Sequence, residues 1–139
     1  MKKAVALVLV LTLFLLSFAV TAFAATESNP YISSYSAAIS NPSGKTVRVD
    51  FSVFGTGYMS SLGANTIYLY EDGTLIKAFV KSNPLYAPTM VTSNAYYYYG
   101  YVTYTGKSGS TYYAEVHCFA TNASGTGTET CSTNSITIP

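Results

Sequence analysis

From Thr46 to Phe54 apolar and polar residues alternate. Val47, Val49, Phe51 and Val53 fall on one face, and Thr46, Arg48, Asp50 and Ser52 on the other. This period of two suits a strand with one buried face and cannot lay a single apolar stripe along a helix. No helix-period stretch follows residue 25. Instead, alternating segments recur between clusters of Gly, Pro, Asn and Ser. Tyr35, Ala37 and Ile39 alternate up to the turn Asn41-Pro42-Ser43-Gly44. Thr66 to Tyr70 and Thr74 to Val80 flank Asp72-Gly73, a strong hairpin signal. Pairing Glu71 with Thr74 is expected to set Leu69 opposite Ile76 and Ile67 opposite Ala78, which gives one apolar face.

Further along, residues 82–95 contain Pro84 and Pro88 and are expected to form a long connection. Tyr96 to Tyr104 is strand again, with Val102 and Tyr104 on one face and Tyr97, Tyr99 and Tyr101 on the other. Between Tyr112 and Asn122, the residues Tyr112, Ala114, Val116, Cys118 and Ala120 are expected to point inward. Tyr113, Glu115, His117 and Phe119 are expected to point outward. A last strand within 126–138 needs a bulge or kink, because Cys131 cannot share a face with Ile136 and Ile138. Seven short strands in about 110 residues point to an all-β, antiparallel β-sandwich. A jelly roll or small barrel is the alternative.

The first residues belong to a different regime. Met1-Lys2-Lys3 is followed by an apolar run to Ala24 that ends in Ala22-Phe23-Ala24, the three parts of a cleavable signal peptide. Cleavage is expected to leave Ala25 at the N-terminus, or to fall one residue later. An uncleaved membrane anchor is the alternative. The expected organisation is a leader over 1–24 and one domain over 25–139, secreted from the cell. No Cys follows the cleavage site, so lipid attachment is not expected.

Without the leader, Lys45, Arg48, Lys77, Lys81 and Lys107 stand against Glu27, Asp50, Glu71, Asp72, Glu115 and Glu129, leaving a net charge of −1. No run of either sign occurs. That argues against nucleic acid, which requires a basic stripe, and against an anionic membrane surface once the leader is removed.

Catalytic chemistry is sparse. His117 is the one histidine, in mid-strand and without a nucleophile beside it in sequence. Gly106-Lys107-Ser108-Gly109 lacks the spacing of a nucleophile elbow. Gly55-Thr56-Gly57 looks like an inter-strand loop rather than a phosphate cradle. Glu71 and Asp72 sit at a hairpin tip and are expected to be a solvated turn. The two cysteines and one histidine form no zinc set, and no cofactor is expected. If Ser124-Gly125 is the tip of the last hairpin, Cys118 lies directly across from Cys131, within disulfide reach. Two buried free thiols are the alternative.

Tyrosine is the residue in excess, at 14 with no Trp. Tyr35, Tyr104 and Tyr112 fall on inward parity. Tyr112, following Gly109-Ser110-Thr111, sits where a sandwich places a tyrosine corner. Two outward groups stand out. Tyr97, Tyr99 and Tyr101 make a ladder with rings about 7 Å apart. Tyr68, Tyr70, Tyr113, His117 and Phe119 form a second group if their strands are neighbours. Tyr is an ordinary strand former, and a neighbour such as Arg48 stacked on a ring would account for it without a ligand. The other reading is a contact surface for an extracellular protein or glycan. A low net charge with exposed Tyr also favours self-association.

Gly106-Lys107-Ser108-Gly109-Ser110-Thr111-Tyr112, followed by Ala114-x-Val116-x-Cys118-x-Ala120-x-Asn122-x-x-Gly125, resembles the F strand of fibronectin type III domains. Tyr31-Ile32-Ser33-Ser34-Tyr35-Ser36, Val47-x-Val49-x-Phe51 and Leu62-Gly63-Ala64 are similar to short single-domain secreted proteins of Gram-positive anaerobes. The resemblance implies an immunoglobulin-like sandwich and an extracellular location, and it brings no catalytic motif. Type III sandwiches serve many unrelated functions.

Overall fold

The computed structural model describes residues 28–139. The expected leader and its cleavage site at Ala22, Ala24 and Ala25 lie outside those residues. The elements are β1 (Ile32–Ser40), β2 (Thr46–Glu71), β3 (Thr74–Val80), a single helical turn α1 (Ala87–Met90), β4 (Val91–Thr105), β5 (Thr111–Asn122), β6 (Gly125–Ser132) and β7 (Ile136–Thr137). All strand pairs are antiparallel.

The organising element is β2, which at 26 residues is far longer than the usual strand. Its N-terminal half lies between β1 and β4, and its C-terminal half lies between β3 and β5. The sheet curls where β2 passes from one set of partners to the other, giving a seven-stranded, sandwich-type all-β fold. Val47, Val49, Phe51, Val53 and Val102 from one half meet Ile67, Leu69, Ala114, Val116 and Cys118 from the other in one buried cluster.

Gly55-Thr56-Gly57 is therefore not an inter-strand loop. It lies inside β2, at the irregularity between Phe54 and Met59 where the strand bends. A second close approach occurs at Gly63, whose φ is +150°. A Cβ there would meet the Met90 carbonyl oxygen at 2.1 Å, so α1 seats against β2 only because this residue has no side chain. Met90 itself is fully buried and closes that end of the core.

Several expectations meet a shifted register. The Asp72-Gly73 turn forms, both residues having positive φ, and Glu71 faces Thr74. The ladder then slips between Leu69 and Tyr70, setting Leu69 opposite Lys77 and Ile67 opposite Phe79. The slip brings Phe79 rather than Ala78 into the core, which buries a far larger apolar side chain. Glu71 is not a solvated turn residue but a buried one. β4 begins at Val91, so the connection is shorter than 82–95. Its single turn α1, with Pro in the first turn, is too short to leave a periodic signal. The parity slip expected in the last strand is resolved by a break between β6 and β7, with Thr133 donating its backbone N–H to the Ala114 carbonyl.

The expected disulfide is absent, and Cys118 and Cys131 are free thiols. The tip of the last hairpin is Ala123-Ser124, because Asn122 pairs with Gly125. The Asn122 side-chain oxygen accepts the Ser124 N–H at 2.8 Å, which turns the chain one residue early. Cys118 consequently faces Glu129, and Cys131 faces Val116. Both thiols stay on the inward face but as diagonal neighbours. The adjacent Cys131 thiol and burial push the Cys118 thiol up.

Tyr112 is fully buried at the start of β5. Its hydroxyl accepts the backbone N–H of Lys107 at 2.8 Å and donates to Glu71 Oε1 at 3.0 Å. Lys107 Nζ closes the set at 3.3 Å from Glu71 Oε2. Hydrogen bonds from Ser110, Tyr112 and Lys107 hold the Glu71 carboxyl below its ordinary range despite burial. This is a tyrosine corner with a buried carboxylate added, and it ties the 106–111 loop to the end of β2.

Candidate binding face on the outer sheet

Register places three rows of side chains on the outer face of β1, β2 and β4. Phe54 faces Tyr97, Ser52 faces Tyr99, Asp50 faces Tyr101 and Arg48 faces Thr103. On the other side of β2, Ser34, Ser36, Ala38 and Ser40 face the same four β2 residues. A row of small side chains on β1 and a row of mostly large aromatic ones on β4 thus flank the β2 row from opposite sides.

Tyr97 is 55% exposed and Tyr99 63% exposed. Phe54 stacks on Tyr97 with centroids 5.6 Å apart and planes 24° from parallel. It meets Tyr99 edge-on at 5.7 Å. Tyr97 and Tyr99 meet at 5.7 Å and 66°. The three rings fix each other's orientation while leaving outer surfaces uncovered. Tyr101 is different: the Arg48 guanidinium lies 4.0 Å from its ring centre, and Arg48 Nε donates to Asp50 Oδ1 at 2.9 Å. Beside Tyr99 a shallow depression of about 180 Å³ is lined by Ser36, Ala38, Asp50 and Ser52. The Ser36 and Ser52 hydroxyls hydrogen-bond there at 2.7 Å.

β2 and β5 are neighbours, so the second aromatic group also shares one face. Tyr70 faces Tyr113, Tyr68 faces Glu115 and Thr66 faces His117. Tyr70 and Tyr113 are stacked at 4.6 Å and 1°, and Tyr68 meets the His117 ring edge-on at 5.2 Å. His117 Nε2 hydrogen-bonds Glu115. All four are half-buried. Phe119 does not belong to this exposed group. It is 2% exposed, with Lys81 Nζ 3.7 Å from its ring centre. Phe119 shares the His117 face of β5, but it lies opposite Gly63, past the irregularity in β2 between Ala64 and Thr66, and Lys81 covers it there.

Sequence reasoning left Phe54 out of the first group. Its parity with Ser52 and Asp50 was the available signal, since an apolar residue on a polar face is the informative exception. Among the described residues no group of three or more His, Cys, Asp or Glu comes together. No helix among them is long and apolar enough to cross a membrane. Glu115 and Glu129 are not opposite each other; they face Ser132 and Cys118.

No family model and no curated protein matches the chain. A solved structure similar in part is the CARDB domain of PF1109 from Pyrococcus furiosus. It has 13% identity and a TM-score of 0.33, and the match covers 71% of this chain and 93% of that one. This is a weak likeness.

Proposed function

We propose that the protein is a secreted, non-catalytic binding module, made with a leader over 1–24 and a domain over 25–139. It contacts an extracellular protein or glycan through the outer face of β1, β2 and β4. The observation that carries this reading is the Phe54, Tyr97 and Tyr99 cluster, in which a half-buried Phe54 braces two exposed tyrosines. Pre-oriented aromatic anchors lose little entropy on binding and dominate interface energetics. The Ser and Ala row on β1 gives a partner room to approach them. The edge-on packing of Tyr97 against Tyr99 offers no pair of coplanar rings, which favours protein side chains over a stacked sugar chain. The tyrosine corner at Tyr112 supports a fibronectin type III or immunoglobulin-like identity within the sandwich class.

A glycan array together with pull-downs from extracellular matrix and cell-wall material tests the function. The expected result is capture of one partner class by the wild type and loss of that capture in Tyr97→Ser/Tyr99→Ser. Capture undiminished in the double variant would remove this face from the proposal. Absence of binding in every format would overturn the function itself.

A further inference from the structure

Among the described residues five strands pair on one side only, β1, β3, β4, β6 and the two-residue β7, and three of them are guarded at least in part by different means. β6 is covered by the chain entering β1: Asn29 Nδ2 donates to the Thr128 carbonyl at 3.1 Å and to Glu129 at 3.0 Å. The start of β1 also lies against β6, whereas the rest of its edge pairs with nothing beyond β2 among the described residues. β3 is seven residues long and carries Lys77, with Lys81 just beyond its end. Short, charged edges of this kind resist pairing.

β4 has none of these devices. It pairs with β2 alone over its full length. Among the described residues, no turn or loop backbone hydrogen bond ends on residues 92–105. Neither proline nor charge interrupts it, and no charged residue lies anywhere between Lys81 and Lys107. Its composition, rich in Tyr, Thr and Val, is that of a strong strand former. The positive φ of Asn94 marks a bend, and past the irregularity between Ala95 and Tyr97 the edge runs on regularly over 97–105.

We infer that this edge is a strand-addition site whose occupant is β4 of a second copy of the chain, paired antiparallel about a two-fold axis. Antiparallel self-pairing sets a strand against its own sequence, so any charge near the axis meets its like. β4 is free of that penalty. Two further constraints narrow the register. Outer faces must meet outer faces, so odd-numbered residues pair with odd-numbered ones. The Thr89 carbonyl packs beneath Gly100, where a Cβ would meet it at 2.5 Å, so the axis lies beyond Gly100, clear of α1. An axis at Tyr101 satisfies both. Tyr101 then faces Tyr101 of the second copy, Tyr99 faces Thr103 and Tyr97 faces Thr105.

This pairing is independent of the binding-module reading and compatible with it. Edge pairing uses backbone groups and leaves both outer faces open, side by side in one continuous sheet. The two Phe54, Tyr97 and Tyr99 clusters become a bivalent surface, with the gain in avidity that follows for a repetitive target.

Sedimentation equilibrium of the purified protein from micromolar to millimolar, paired with hydrogen exchange at both extremes, tests the inference without any ligand. A dimer is expected, with amide protection rising with concentration in 97–105 and nowhere else. Tyr101→Lys sets two ammonium groups across the axis and is expected to weaken the dimer at least about tenfold. Tyr101→Phe is expected to retain it. Thermal unfolding of each variant confirms that the fold is intact. A monomer throughout the range, or a dimer with no added protection in β4, would overturn the inference. A dimer that captures no partner would overturn the binding-module reading instead.

Discussion

The two outer faces of this molecule carry similar numbers of aromatic rings and treat them differently. On the β2–β5 face each ring has a partner from its own chain: Tyr70 lies flat on Tyr113, Tyr68 meets His117, and Lys81 caps the buried Phe119. On the β1–β2–β4 face Arg48 covers Tyr101, while Phe54, Tyr97 and Tyr99 brace one another and still leave the two tyrosines more than half exposed. Tyrosine in a strand is thus not in itself a mark of binding. What distinguishes the two faces is how much of each ring's surface the fold covers.

The largest effect that sharpens this contrast is expected at Phe119. Phe119→Ala removes a buried ring and should cost about 3 kcal/mol or more of stability, read by chemical denaturation, with partner binding unchanged. A loss of binding at full stability would place Phe119 in the interface and break the contrast.

Tyr97→Ser/Tyr99→Ser is expected to do the reverse. Partner affinity should fall by about thirtyfold or more, as for a hot spot worth about 2 kcal/mol, measured by titration calorimetry once a partner is in hand. Unfolding should shift little, because these rings are exposed.

A smaller effect is expected between Tyr70 and Tyr113. A double-mutant cycle with alanine at each position should return a coupling of about 0.5–1.5 kcal/mol in stability. A coupling near zero would mean that the stacked pair is incidental and the second face as available as the first.

The smallest effect is expected for Arg48→Ala, which uncovers Tyr101. The cation–π contact at a partly exposed site contributes about 0.5–1 kcal/mol. The loss should be offset if the freed ring joins the contact surface, visible as equal or tighter partner binding. Weakened binding would instead make Arg48 part of the recognition surface.

Parts of this arrangement were legible from residue order. Alternation assigned the inward faces of the first half of β2 and of β5 correctly, and Asp72-Gly73 marked a true turn. The outward parity of Tyr97, Tyr99 and Tyr101 followed from Val102 alone. Other parts had no local signal. Gly55 and Gly57 carry the composition of a loop, yet the strand continues through them because β4 supplies partners on both sides of the bend. Phe119 has the same parity as His117, yet it is buried, with Lys81 from beyond β3 over its ring. The cysteine pairing depended on a turn of two residues, and the Asn122 side chain moved that turn by one position.

The sequence by itself determined parity: which residues of each strand face inward, and hence that the chain builds a half-buried, antiparallel, all-β structure. Parity is a local property, set by the two-residue period of an extended chain and by the contrast between neighbouring side chains. Only the tertiary structure decided register, continuity and exposure. Those depend on which strands lie side by side and on how much apolar surface each slip buries, as when Phe79 displaces Ala78. They also depend on contacts made across tens of residues, such as Asn29 on Thr128 and Arg48 on Tyr101. The open aromatic face and the unguarded edge of β4 belong to that second class, because each is defined by partners that the fold does not provide.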